Sequence, residues 1–346
     1  MKKILIVVPY FLTGGVETSI VRLIFLLQNK AHFYLVITQK YESEIELISE
    51  NISIINISMF RKIPILQIFI IKHLSARVDI IINSFDRVTQ RILNKIQTAK
   101  KYCFVRNNHI SMDELYNVNA GIVDGFICNS LSAFYRYQSK GCRAIYIPNS
   151  VLIPAPRESD HDVNLIVEDE SISIIYVGRI VDDSKGVFDL PTILLRVKNS
   201  LPLGKKIRLI IAGDGNDRAQ LESLLSASGI SYLVTGVLPR ERVFELLVKA
   251  YCIVIPSRYE GMPNVVLEAL SVGCPPVTRR LSGVTDHLLE FGDETLLFDT
   301  TTEAAENILN LIRDSDYHEK IRDKCREKAK EFSTDVERAN YERIFL

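Results

Sequence analysis

Apolar residues along this chain fall into short runs, each closed by polar or turn-forming residues. In the first half the runs are KILIVVPY, FYLVIT, ISIINIS, DIIINS, KYCFVRN, GFICNS and AIYIPNS. They are rich in β-branched residues and bounded by Asn, Ser, Pro or charge, which predicts buried strands. Longer stretches with apolar residues at helical spacing lie between several of them, such as VETSIVRLIFLLQ. Strand and helix in alternation predict a parallel sheet covered on both faces. The pattern breaks near 148–170, where PNSVLIPAPRESDHDVNLIVEDE is rich in proline and charge without a period, as an interdomain linker is. It restarts with SIIYVGR, IRLIIAGDG, SYLVTG, CIVIPS, PPVTR and TLLFD. From about residue 302 the chain reads as helical and charged, ending in DVERANYERIFL. The expectation is α/β, with two doubly wound domains of similar size.

The bulk properties exclude several classes. No apolar run reaches the length of a membrane-spanning helix. The start, MKKILIVVPYFLTGG, has lysines before an apolar run, but Pro9 and Gly14-Gly15 interrupt it and no small-residue cleavage site follows. It reads as a first buried strand. The cysteines (Cys103, Cys128, Cys142, Cys252, Cys274, Cys325) show no C-x-x-C spacing, and the histidines no metal spacing. That suits core thiols in a reducing compartment, so the cytoplasm is expected.

Net charge is zero, yet it is unevenly placed. Residues 1–157 carry 19 Lys/Arg against 10 Asp/Glu, a net +9, and residues 158–346 carry 23 against 32, a net −9. An anionic partner for the first half is one reading; a basic domain face set against an acidic one is the other. The segment IPILQIFIIKHL, 63–74, is apolar with Arg61, Lys62, Lys72 and Arg77 beside it. It fits an amphipathic membrane-surface helix or a helix covering the sheet. Nucleic acid is not expected, because the cations are scattered rather than interleaved with aromatics.

Ligands of open parallel sheets bind beyond the carboxyl ends of the strands, so the loops there carry the chemistry. After the first strand, Gly14 and Gly15 precede a helix, an arrangement open to an anion. A G-x-G-x-x-G dinucleotide fingerprint is absent there and in GDGND, which argues against a nicotinamide enzyme. The loop GRIVDDSKGVFDL sets Arg179 and Lys185 beside glycines, two cations suited to a diphosphate. In YEGMPNVVLEAL, Glu260 sits at the end of a strand and Glu268 inside an apolar helix. Pro263 fits the first helical position, leaving the amides of Asn264, Val265 and Val266 for a phosphate. Ribose hydroxyls would satisfy Glu268, whose burial is otherwise costly, and Glu260 would face a sugar beyond the phosphates.

These residues resemble the retaining glycosyltransferases of family 4, with the GT-B fold, of the kind that builds bacterial surface polysaccharides. The family's glutamate pair, separated by seven residues, is matched by Glu260 and Glu268 within PSRYEGMPNVVLEALSVGCPPV. YVGRIVDDSKG, IAGDG, VTGVLP, GGVE and PNSV fall in the family's order and approximate spacing. The resemblance implies two Rossmann-like domains facing a central cleft. The first spans 1–160 and holds the acceptor; the second spans 161–330 and holds the nucleotide sugar. A helix at 331–346 returns to the first. It implies that Arg179 and Lys185 hold the donor diphosphate, Glu268 binds ribose, and Glu260 contacts the donor sugar. Gly261, Met262, Pro263, Asn264 and Val265 would meet phosphate or sugar, Val237 and Leu238 would flank the base, and Gly14 and Gly15 would approach the phosphates. His109, in VRNNHIS, resembles the family's active-site histidine, although Ile110 stands where an aspartate often follows.

The implied reaction moves a hexosyl or N-acetylhexosaminyl unit from a nucleoside-diphosphate sugar, of which UDP is the commonest carrier, to a hydroxyl with retention. The acceptor would be a glycan or a lipid-linked glycan. No D-x-D motif marks a metal site and Asp182-Asp183 reads as a turn, so neither metal nor other cofactor is expected. The basic first half would suit peripheral docking on the inner, anionic membrane face. Two alternatives fit the same residues: a nucleotide-sugar epimerase on the same fold, and a non-catalytic nucleotide-sugar-binding subunit.

Overall fold

The computed structural model describes residues 1–11, 15–41, 51–84, 89, 91, 93–97, 99–106, 121–151, 171–291 and 296–346. It divides into two compact units, Met1–Asn149 with Thr334–Leu346, and Ser150–Ser333. In chain order the described α-helices are α1 (Gly15–Leu27), α2 (Pro64–Ser75), α3 (Leu131–Ser139), α4 (Asp182–Lys185), α5 (Asp189–Asn199), α6 (Arg218–Ser228), α7 (Arg240–Lys249), α8 (Asn264–Val272), α9 (Thr285–Leu288), α10 (Thr301–Arg313), α11 (Ser315–Ala329) and α12 (Thr334–Phe345). Among the described residues none is long and apolar enough to cross a membrane.

The first unit is built on β1 (Lys2–Phe11), β2 (Ala31–Tyr41), β3 (Ile52–Asn56), β4 (Ile80–Asn83), β5 (Lys100–Val105), β6 (Gly125–Cys128) and β7 (Ala144–Tyr146). They form one parallel sheet in the order β3-β2-β1-β4-β5-β6-β7. Each apolar run of the first half lies on a strand. Strand periodicity divides β1 between two cores. Ile4, Ile6 and Val8 pack with Leu23 and Leu27 of α1, and with Tyr341 and Phe345 of α12. Leu5 and Val7 face the other way, toward Ile71 and Val78 on and after α2. Helix α2 therefore covers the sheet with one of its faces.

Helix α12 groups with this unit, and polar contacts fix it there. Arg22 Nε donates to Glu337 Oε2 at 2.6 Å, and both residues are buried. Arg106 donates through Nη2 to the Tyr341 hydroxyl at 2.7 Å and through Nη1 to Asn149 Oδ1 at 3.1 Å. Burial raises the Tyr341 phenol, so it stays protonated.

The second unit holds β8 (Ile172–Val177), β9 (Ile207–Ala212), β10 (Ser231–Gly236), β11 (Cys252–Ile255), β12 (Pro276–Arg279) and β13 (Leu297–Phe298). These also form a parallel sheet, in the order β10-β9-β8-β11-β12-β13. Successive strands are added outward on one side of β8 and then, from β11, on the other, and the loops after β8 and β11 stand side by side at that switch point, where doubly wound sheets take their ligands. Five of the six cysteines are buried and all are free. Burial pushes the thiols of Cys103, Cys128, Cys252 and Cys325 up to about 12, which keeps them neutral and inert.

Candidate active site

The loops after β8, β9, β10 and β11 meet backbone to backbone, and glycines allow it. A Cβ on Gly213 would lie 1.9 Å from the carbonyl oxygen of Gly178, and one on Gly215 2.3 Å from that of Ile180. Gly178 N–H donates to Ala212 at 3.0 Å, Ile180 N–H to Asp214 at 2.9 Å, and Gly213 bridges to Gly236. Gly186 ends α4 in the left-handed region at φ 61°, where a Cβ would stand 2.3 Å from the Pro256 carbonyl. Only glycine fits both that conformation and that gap.

This packing places two ionic groups. Lys185 is the last residue of α4, and its Nζ lies 2.6 Å from Glu260 Oε1, with both side chains mostly buried. Arg258 ties the two loops together. Its Nη1 donates to the carbonyl of Asp182 and, at 3.1 Å, to Asp182 Oδ2. Its Nη2 lies 3.7 Å from Asp189 Oδ2, which also receives Arg279 Nη2 at 2.6 Å. Arg279 Nε reaches the Pro256 carbonyl at 3.2 Å. Alternating cations and carboxylates hold the neighbours of Lys185 and Glu260 in place, and shared partners make such a set stronger than isolated surface pairs.

Asp182 and Asp183 open a one-turn helix rather than a turn. Asp182 is structural: its Oδ1 accepts from Phe188 N–H at 2.9 Å, and its own N–H donates to Asp217 Oδ2 at 2.6 Å. The Tyr176 hydroxyl donates to the carbonyl of Arg179 at 2.7 Å. Burial, reinforced by the Glu260 carboxylate, holds that phenol well above its ordinary range, so the hydrogen bond persists at neutral pH. Arg179 itself is exposed, and among the described residues no carboxylate pairs with its guanidinium.

The glutamate helix departs from expectation at its start. Pro263 is the N-cap, with extended backbone, and α8 begins at Asn264. The Val266 N–H donates to the Pro263 carbonyl at 3.0 Å and is thus already used. The amides at the helix entrance belong to Asn264 and Val265, and the N-cap, Pro263, makes no side-chain cap hydrogen bond. Glu268, mostly buried, accepts from Arg240 Nε at 3.1 Å. Arg240 opens α7 and lies 5.5 Å over the ring of Phe244. Val237 is exposed on the loop after β10, and Leu238 packs against the core. Gly261 and Met262 are buried beside Pro263.

The second unit thus brings Arg179, Lys185, Glu260, the entrance of α8 and Glu268 to the carboxyl edge of one sheet. Gly15 opens α1 in the first unit; Gly14 and His109 lie outside the described residues. Sequence reasoning missed Arg240, Asp189, Arg258 and Arg279. Arg258 and Asp189 had a signal, standing two residues before Glu260 and four after Lys185; Arg240 and Arg279 come from other elements.

Residues 156–332 match the family model of glycosyl transferases group 1. The chain belongs to this family. It is 30% identical over 160 residues to alpha-D-kanosaminyltransferase of Streptomyces kanamyceticus, which is 44% of this chain and 39% of that one. It is 30% identical over 169 residues to sulfoquinovosyl transferase SQD2 of Arabidopsis thaliana, 48% of this chain and 31% of that one. The matched part therefore spans well under half the length of either relative. Solved structures align over nearly the whole chain. Anabaena HepE, in complex with UDP and glucose, superposes with a TM-score of 0.80 at 16% identity, covering 99% of each chain. The lipopolysaccharide outer core galactosyltransferase WaaB superposes at 0.71 with 18% identity, covering 99% of this chain and 98% of that one. The two parallel-sheet units are those of the GT-B fold.

Proposed function

We propose that this group 1 member is a retaining, family-4 glycosyltransferase. It moves a hexosyl or N-acetylhexosaminyl unit from a nucleoside-diphosphate sugar to a hydroxyl of a glycan or lipid-linked glycan, in cell-surface polysaccharide biosynthesis. The observation that carries this reading is the pairing of Lys185 with Glu260 at the sheet edge where Arg179 stands exposed. HepE is solved with UDP and glucose, which favours UDP as the nucleotide.

The transition state is oxocarbenium-like, and negative charge gathers on the departing phosphate. Arg179, Lys185 and the amides of Asn264 and Val265 meet that charge. Fixed donors of this kind stabilise a transition state because they need no reorientation as the charge develops. Glu260 fixes the Lys185 ammonium and presents its remaining oxygen to the donor sugar. Glu268, held by Arg240, accepts from the ribose hydroxyls, and Val237 and Leu238 flank the base. Gly14 and Gly15 approach the phosphates and His109 acts near the donor sugar by resemblance alone. With cations of the chain in this role, no metal is required.

The test is the product's anomeric configuration, read by NMR with and without EDTA. The expected result is retention, at a rate unchanged by the chelator. Inversion would refute the mechanism, and release of an altered free sugar without transfer would favour an epimerase.

A further inference from the structure

Helix α2 (PILQIFIIKHLS) has almost no polar stripe, so apolar burial alone does not choose which side faces the sheet. Gln67 chooses it. Its amide is fully buried and donates to the carbonyls of Thr38, at 2.6 Å, and Ile57, at 3.1 Å. Ile71 and Ser75, one and two turns on, are buried along the same stripe, and Ile71 packs among Leu5, Val7, Val36 and Ile81. With 67, 71 and 75 turned inward, 65 and 69 face out.

The outward side chains are apolar. Ile65 is 80% exposed and Phe69 67%, and just before the helix Met59 is 78% and Ile63 54% exposed. Single exposed apolar residues are ordinary, but a cluster on one surface marks a binding face. Arg61 and Lys62 stand exposed at one end of this cluster, and Lys72 and Arg77 at the other. Residues 51–78 contain no Asp or Glu, so nothing within the segment neutralises them.

We propose that this face docks on an anionic lipid bilayer. Met59, Ile63, Ile65 and Phe69 enter the boundary between headgroups and acyl chains, and Arg61, Lys62, Lys72 and Arg77 lie at the level of the phosphates. Interfacial helices bind in this way, through buried apolar area together with attraction to anionic lipid. An isologous contact with a second copy would set the same cations against each other. A nucleic acid would engage the cations but has no complement for Met59, Ile63 and Ile65. The docking does not depend on the donor assignment; if the proposed acceptor is lipid-linked, the same bilayer presents it.

Co-sedimentation of the full chain with vesicles tests this, using phosphatidylcholine alone and phosphatidylcholine with phosphatidylglycerol. Each cation near an anionic surface contributes roughly a five-fold gain in partitioning. Binding is therefore expected with phosphatidylglycerol and at least about ten-fold weaker without it. Lys62→Glu with Lys72→Glu is expected to abolish the preference. Ile65→Ser with Phe69→Ser is expected to weaken binding about ten-fold. These positions are exposed, so thermal unfolding and release of nucleoside diphosphate in solution stay as in the parent chain, which separates this result from failure of the catalytic reading. Equal sedimentation with both vesicle types would overturn the proposal, as would an Ile65→Ser/Phe69→Ser variant that binds like the parent. A parent chain that runs as an oligomer and that this variant converts to a monomer would reassign the face to self-association.

Discussion

At the scale of single residues, the site depends on side chains that bury charge only when another charge meets it. Lys185 and Glu260 are both mostly buried, and either alone would carry a desolvation penalty of several kcal/mol. The same logic explains Arg240, which reading the sequence did not supply: a buried Glu268 needs a partner, and the sequence reading expected ribose hydroxyls to provide it. The partner came from 28 residues away, a separation that no local pattern encodes. His318 shows the same economy in its neutral form. Its ring stacks on Tyr251 at 4.0 Å, and Nε2 lies 2.9 Å from the Tyr251 carbonyl, which requires the proton on Nε2. Burial, with Arg322 adding to it, lowers this imidazole below its ordinary 6.5, against the opposing pull of that hydrogen bond and of Glu319. The unfolded chain therefore takes up the proton first as pH falls through about 6.5. Stability should be fully present above that point and decline below it. Urea midpoints at about pH 7.5 and about pH 5.5 measure the decline, and it should be smaller in His318→Gln, which keeps a donor but does not titrate. An equal decline in both proteins would contradict the assignment.

At the scale of elements, the strands were legible and their ends less so. Parallel strands buried on both faces are continuous apolar runs, and each run bounded by turn residues proved to be a strand. Pro263 was misplaced by one position because a proline suits both N-cap and first helical turn, and the choice depends on how the Glu260 loop enters the helix. The Val266 amide is taken from those offered to a ligand by its i→i−3 bond to the Pro263 carbonyl, a tightening of the first turn. Helix α2 was ambiguous in sequence because its apolar residues occur on every side, and one buried amide, Gln67, sets its orientation. Nothing local in the sequence places α12 on the first unit; packing holds it there. Arg22 and Glu337 are each 1% exposed, 315 residues apart, with Tyr341 and Phe345 in the core beside them. Glu337→Ala would leave the Arg22 guanidinium buried without its carboxylate and is expected to destabilise the first unit by about 3–5 kcal/mol. Chemical denaturation followed by far-UV circular dichroism measures this, and a loss under about 1 kcal/mol would show that the pair is not what holds α12.

At the scale of the whole molecule, two sheets of the same type present different surfaces. The second unit concentrates a recognisable glutamate block, the Lys185–Glu260 pair, the exposed Arg179 and the entrance of α8 on one sheet edge. The first unit carries the chain's excess of positive charge and the apolar outward face of α2. The proposed acceptor role of this unit is less legible, because its sequence holds no motif as specific as the glutamate block of the second, and His109 has no local pattern to secure it. The central claim is that the edge of β8 and β11 handles a nucleotide sugar. Its most direct test is release of nucleoside diphosphate from a panel of nucleotide sugars, in the parent chain and in Lys185→Ala. One donor should be turned over, and the variant should lose about 10²–10³-fold in rate, as expected when a fixed donor to a leaving phosphate is removed. Release from no donor, or equal release by Lys185→Ala, would contradict the account.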